Sequence, residues 1–286
     1  MMKSYSVERR SGNWSRLLLH VILIIGAVLM LYPLVWMLSA SFKPNNLIFS
    51  NASLLPQQFT LKNYTIGWTA LSMPFSIFFL NSLLVCIGAV IGNLISCSMV
   101  AYAFARLNFK FKSIWFAIML STIMLPYHAI VVPQYILFKS IGWINTFLPL
   151  IVPKFLATDA FFIFLLVQFI RALPSELDES AQIDGCGPVQ LFWRIILPLA
   201  RPALATTAIF TFIWTWGDFF PQLIFLNNQS SFTLPVALNA FLDSTGVSQY
   251  GALFAMSLLA LVPIIIFFLL FQRLLTEGIS TTGLKG

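Results

Sequence analysis

Six apolar runs, each longer than the ~20 residues that carry a helix across a bilayer, set the pattern of this chain: 17–38, 79–105, 114–138, 147–170, 202–226 and 253–275. Polar stretches separate them. The pattern predicts six membrane helices, an all-α polytopic protein with no soluble domain. The first run is too long for the ~7–15-residue apolar core of a signal peptide and reads as a membrane helix. Pro126 and Pro133 interrupt the third run; Pro149 and Pro153 lie near the start of the fourth. Residues 41–76 read as a polar linker, carrying Pro44, Pro56 and Pro74. Residues 227–250 read as a polar loop without Lys or Arg.

Residues 174–198, PSELDESAQIDGCGPVQLFWRIILP, are the long polar interruption of the second half. Four of the nine acidic residues sit there: Glu176, Asp178, Glu179 and Asp184. Ser175 with Asp178 three residues on reads as a helix N-cap and its acidic partner. Gly185 suits the left-handed position that ends a helix, and Gly187-Pro188 opens another. Val189, Phe192, Ile195 and Ile196 give that second helix an apolar stripe, and Pro198 is expected to stop it. The expectation is a short acidic helix of about 12 Å, a glycine turn and a short apolar helix.

Composition sharpens the membrane reading. Apolar residues make up 59% and charged residues 9%, with a mean hydropathy of +0.90; soluble domains carry roughly 25% charge. The net charge of +7 would suggest nucleic acid in a soluble chain. Here its placement gives a better account. With the N-terminus inside, Lys3, Arg9, Arg10, Arg16, Arg106, Lys110, Lys112, Arg171, Arg194, Arg201, Arg273 and Lys285 fall inside, against Lys43, Lys62, Lys139 and Lys154 outside. That asymmetry obeys the positive-inside rule. It puts both termini and the 174–198 loop in the cytoplasm. Cys86 and Cys97 lie ~16 Å apart along one helix, too far for a disulfide, and Cys186 lies in the loop. All three read as free thiols, with no metal-binding spacing.

Several residues are candidates for chemistry. Gly88 and Gly92 form a G-x-x-x-G pair that would let another helix approach closely. His128 reads as a hydrogen-bonding or interfacial residue rather than a proton relay. Lys154 and Asp159, in the fourth span, should face protein or water and pair with each other or with a partner. Trp214, Trp216 and Asp218 cluster in the fifth span. Aromatic faces beside a carboxylate suit a sugar, with a structural hydrogen bond to a neighbouring helix as the competing role. No G-x-x-x-x-G-K-[ST] occurs, so no P-loop would cradle ATP. Two histidines on different spans, His20 and His128, make no convergent catalytic set.

Glu179-Ser180-Ala181, Gly185 and Ile195-x-Leu197-Pro198 together resemble the EAA loop of membrane subunits of bacterial ABC importers. Ser180 stands where that family usually has alanine. Ser41-Phe42-Lys43-Pro44 and the FTLKNY run at 59–64 resemble its carbohydrate-uptake branch. The likeness to the maltose-type second permease runs from the first span to the tail, where Gly278, Gly283 and Lys285-Gly286 loosely match a glycine-spaced ending. The resemblance implies a type I importer fold, with a cytoplasmic segment 1–16, a six-helix permease domain 17–275 and a cytoplasmic tail 276–286. It implies that Glu179, Ser180, Ala181, Gly185, Ile195, Leu197 and Pro198 couple the chain to a separate ATPase dimer, which binds the ATP-Mg. It further implies a second permease, an extracytoplasmic solute-binding protein, a bacterial inner-membrane location and no nucleic-acid partner. A stand-alone secondary transporter is the competing class. It usually carries ionisable residues near the midplane for ion coupling; this chain has few of them and has the docking loop.

Overall fold

The computed structural model describes residues 13–50, 53–243 and 249–283. The expected positions Lys3, Arg9, Arg10, Lys285 and Gly286 lie outside them. Thirteen α-helices follow in chain order among the described residues, with no strand. They are α1 (Asn13–Ser41), α2 (Lys62–Thr69), α3 (Phe75–Arg106), α4 (Lys112–Thr122), α5 (Tyr127–Ser140), α6 (Leu148–Phe155) and α7 (Ala160–Ala172). Then come α8 (Glu176–Ile183), α9 (Pro188–Leu199), α10 (Arg201–Gly217), α11 (Phe220–Phe225), α12 (Leu234–Asp243) and α13 (Tyr250–Gly283).

Four apolar stretches are long enough to span as they stand: Arg16–Ser41, Phe75–Arg106, Leu148–Ala172 and Tyr250–Gln272. Two further pairs bring the number to six, each bent sharply: α4 with α5 by 98°, and α9 with α10 by 75°. The predicted third span, 114–138, is therefore a broken one. Proline lacks an N–H and biases the residue before it away from helix. Ahead of Pro126 the chain tightens, with Ile123, Met124 and Leu125 donating to Leu120, Ser121 and Thr122. The predicted fifth span, 202–226, also divides: α10 ends at Gly217, and α11 restarts at Phe220.

The long helix α3 is the axis of the bundle and packs against α6, α7 and α10. Lipid tails are as apolar as leucine, so close van der Waals packing, not water exclusion, drives such contacts in a bilayer. That favours small residues, and α3 buries Ala89, Gly92, Ser96, Cys97 and Ala101. Gly88 and Gly92 sit against α6, as the sequence implied. A Cβ on Gly88 would lie 2.9 Å from the Ile151 side chain. One on Gly92 would lie 2.9 Å from Lys154 Cβ and 3.0 Å from the Lys154 backbone. By contrast, the most apolar stretch of α1 buries nothing; this helix packs mainly on α13, where Trp36 meets Phe254 edge to face at 5.4 Å.

Neither polar connection is featureless. Within 41–76, the two short sequences that resemble the carbohydrate-uptake branch close on each other. Asn63 Nδ2 donates to the carbonyls of Ser41 and Lys43, both at 2.8 Å. The Thr60 amide donates to Phe42 O at 2.9 Å, and the Phe42 ring stacks on Phe59 at 4.9 Å. Within 227–250, residues 234–243 form α12 and bury Leu234, Ala237 and Phe241 against Phe78 and Ala255. The spacing Leu234, Ala237, Leu238, Phe241 is helical, a signal that the polar loop reading passed over.

Candidate functional site

The 174–198 segment folds as a bracket on the end of α3. Helix α8 begins with Glu176, Asp178 and Glu179 in its first turn, where carboxylates complement the exposed amides and the positive end of the dipole. The expected side-chain cap is absent: Ser175 has helical dihedrals and makes no capping hydrogen bond. Its carbonyl instead accepts from the Asp178 amide at 2.9 Å. The Asp178 carboxylate is thereby free to turn inward, to Arg106 Nε at 3.2 Å. Arg106 Nη2 also donates to Leu173 O at 2.8 Å. One guanidinium thus holds the carbonyl before the bracket by a hydrogen bond and the first turn of its helix by an ion pair.

The exit from α8 is a Schellman turn. Gly185 takes φ +80°, its amide donates to Gln182 O at 3.0 Å, and the Cys186 amide reaches back to Ala181 O at 2.8 Å. Tyr102 OH then donates to Pro188 O at 3.0 Å. Both ends of the bracket are therefore tied to the last turns of α3. Sequence reasoning counted Arg106 only as a topology charge and did not single out Tyr102. Their partners lie 72 and 86 residues away, and no local pattern pairs them.

Helix α9 buries Leu191, Phe192 and Ile196, with Ile195 and Leu197 half-buried against the same cluster of α3 and α7 side chains. Val189 does not share this stripe; it is 70% exposed. Pro198 does not end the helix either, which continues to Leu199 before the break at Ala200. Residues 192–196 form a π turn, closed by the Leu197 amide donating to Phe192 O. Widening the turn ahead of Pro198 eases the clash of its ring with the carbonyl four residues back.

The outward side of the bracket carries a different set of residues. Glu179 and Ser180 are exposed, Ile183 is 86% exposed, and Trp193 is exposed near Val189. Ser180 Oγ is turned back to Glu176 O at 2.7 Å. Glu179 has no hydrogen-bonding or ionic partner among the described residues. Of Glu179, Ser180 and Ala181, Ala181 is the one that is buried. A Cβ on Gly185 would meet nothing within 4 Å. The bracket is fixed on its inner side and open on its outer one.

A second polar region lies within the bundle. Lys154 Nζ and Asp159 Oδ2 pair at 2.8 Å across the break between α6 and α7, as their positions suggested. Asn93 Nδ2 donates to the same carboxylate oxygen at 2.6 Å and to Thr211 Oγ1 at 3.1 Å, and Ser96 Oγ donates to Lys154 O at 2.6 Å. These bonds tie α3, α7 and α10 together. At the break Ala157 is left-handed, φ +54°, a conformation costing a non-glycine residue ~1–2 kcal/mol.

The predicted Trp214, Trp216 and Asp218 cluster is not brought together. Trp216 is buried, stacks on Phe212 at 5.4 Å and donates Nε1 to Ala260 O at 3.0 Å. It is a packing residue between α10 and α13. Trp214 faces the opposite way, toward Phe161 and Phe162. Asp218 lines a separate cavity of ≈ 470 Å³ with Lys154, Asp159 and His128. Successive residues of a helix point about 100° apart, so Trp214 and Trp216 could not share a face. His128 packs its ring on Phe220 at 4.7 Å.

Residues 92–281 match the family described as binding-protein-dependent transport system inner membrane component. The chain is 34% identical to the arabinooligosaccharides transport system permease protein AraQ of Halalkalibacterium halodurans, covering 91% of this chain and 93% of that one. It is 32% identical to the diacetylchitobiose uptake system permease protein NgcG of Streptomyces coelicolor, covering 91% and 86%. It is 31% identical to the trehalose/maltose transport system permease protein MalG of Thermococcus litoralis, covering 93% and 97%. Its fold matches a chain in the crystal structure of a bacterial ABC transporter involved in the import of the acidic polysaccharide alginate. That match has a TM-score of 0.81 at 22% identity and covers 95% of this chain and 99% of the other.

Proposed function

This chain belongs to the family of binding-protein-dependent transport system inner membrane components, and from that premise we propose that it is one half of the translocation path of a carbohydrate importer, driven through the 174–198 bracket by a separate ATPase. The relatives' names support the solute class, since arabinooligosaccharides, diacetylchitobiose and trehalose/maltose are all saccharides. The observation that carries the coupling role is the two-sidedness of the bracket: Arg106 and Tyr102 hold it to α3 from within, while Glu179 and Ile183 are exposed on its outer side.

The mechanism follows from those attachments. ATP-Mg is bound and hydrolysed by the ATPase dimer. Its closure pushes on α8. The Schellman turn and the Arg106 and Tyr102 bonds keep α8 from swivelling, so the push passes to α3. Ile195, Ile196 and Leu197 pass it to α7 as well. Because α3 packs against α6, α7 and α10, the bundle tilts as a body and changes the side on which the path is open. Glu179 pairs with an arginine of the ATPase, and Ser180 and Gly185 leave the docking face low enough for close approach. The path is completed by a second permease, and an extracytoplasmic binding protein delivers the solute. Both termini and the bracket face the cytoplasm of a bacterial cell. The permease domain spans 17–275, and the tail 276–286, helical as far as Gly283, is a second contact with the ATPase.

Glu179→Lys tests the docking. Like charges placed across an interface cost several kcal/mol, and ~1.4 kcal/mol is tenfold in affinity. The ATPase recovered with the affinity-purified variant is expected to fall about tenfold or more. Undiminished recovery would remove the ion pair from the account.

A further inference from the structure

The ≈ 470 Å³ cavity between α5, α6 and the α10–α11 turn is used by nothing described so far. Its size lies within the roughly 300–1,000 Å³ of small-molecule sites. It is built of membrane-spanning segments, where ionisable side chains are costly and mark function. Its charges do not cancel. The Lys154 charge is taken up by Asp159 at 2.8 Å. Asp218 remains, on the non-helical stretch between α10 and α11, and its carboxylate accepts no hydrogen bond from any described residue. Asp218 is exposed, so one carboxylate stands in excess of the cavity's cations with its oxygens open to a hydrogen-bond donor. Beside it is an aromatic wall: Phe220 meets Tyr127 edge to face at 6.3 Å and carries the His128 ring at 4.7 Å. Gln134 adds an amide that both donates and accepts.

We infer that this cavity is the chain's own solute contact, taking a neutral, hydroxyl-rich solute. Asp218 accepts its hydroxyl hydrogens, Gln134 bonds a further hydroxyl, and Tyr127 and Phe220 take its C–H face. The uncancelled carboxylate turns away anionic solutes such as sugar phosphates. The inference deepens the carbohydrate-importer reading and rests on it.

The test uses the assembled importer in liposomes with saturating binding protein. The probes are labelled trehalose, arabinotriose and diacetylchitobiose, with glycerol 3-phosphate as the anion. Ile130→Cys, at a lining position given no bond to the solute, in a Cys186→Ser background reports occupancy through its rate of reaction with a water-soluble thiol reagent. The transported sugar is expected to slow that labelling at least threefold, a ratio well above the scatter of a rate measurement and one that corresponds to about two-thirds occupancy. Asp218→Ala is expected to lower the transport rate about tenfold, the loss of one charge-assisted hydrogen bond, and Asp218→Glu to restore most of it. Sugar transport with unchanged labelling, or at the wild-type rate in Asp218→Ala, overturns the site and leaves the importer standing. Transport of glycerol 3-phosphate in place of the sugars overturns the reading beneath it as well. If Asp218→Ala fails to assemble, the labelling of Ile130→Cys decides alone.

Discussion

The Gly185→Trp chain inserts into the membrane and imports solute at about a tenth of the wild-type rate or less. The first reason is conformational. Gly185 holds φ +80°, and a residue with a Cβ gives up ~1–2 kcal/mol to stay there, or about tenfold in the population of the turn. The second is steric, and it points outward. Among the described residues nothing lies within 4 Å of a Cβ at this position, so the indole has room beside them and projects into the space the ATPase would occupy. Folding is spared and docking is not. Gly185→Asn separates the two effects, because asparagine tolerates the left-handed region and is small; it is expected to keep most of the import. The readouts are chain recovered from membranes, ATP hydrolysis and solute uptake by the assembled importer. Uptake at the wild-type rate in Gly185→Trp would remove the turn from the coupling path.

Gly92→Leu fails earlier, at folding. Here the obstruction is backbone: a Cβ would sit 3.0 Å from the Lys154 carbonyl carbon and 2.9 Å from Lys154 Cβ. Overpacking of a few atoms costs ~1–3 kcal/mol, and leucine adds its whole side chain at the contact. The shift forced on α6 also pulls Lys154 from Asp159 and from Ser96. The yield of folded chain from mild detergent is expected to collapse. Gly88→Ala is milder, because the obstacle there is the Ile151 side chain, which can change rotamer. Equal yields for Gly92→Leu and the wild type would show that α3 and α6 are not held at this distance.

What was legible in the sequence follows from what local patterns record. Apolar run length located the spans because a bilayer imposes it. Gly185 was legible because its requirement is a backbone dihedral, and Gly88 and Gly92 because close approach needs small residues. The breaks were half legible: Pro126 announced an interruption but not a 98° bend. Long-range pairing was not legible. Asp178 looked like half of a capping pair, and only the fold brings Arg106 within 3.2 Å of it. Trp216 looked like a neighbour of Asp218, and helical geometry turned it toward Ala260. Helix α12 was missed because its ten residues are too few to cross a bilayer and sit in a connection that is otherwise polar. Lys154 and Asp159 were recognisable as a pair since both are ionisable and five residues apart, whereas Asn93 and Thr211, which complete their network, carry no charge to draw notice.

The central claim is that this chain works as the membrane half of a machine whose energy comes from another subunit. It is tested most directly by purifying the chain from its native membrane in mild detergent and identifying what accompanies it. The account predicts a P-loop ATPase and a second multi-span permease in fixed proportion, with uptake in liposomes that requires ATP. A chain that purifies alone and moves solute down an ion gradient without ATP would contradict it and would make the Lys154, Asp159 and Asp218 group an ion-coupling site instead.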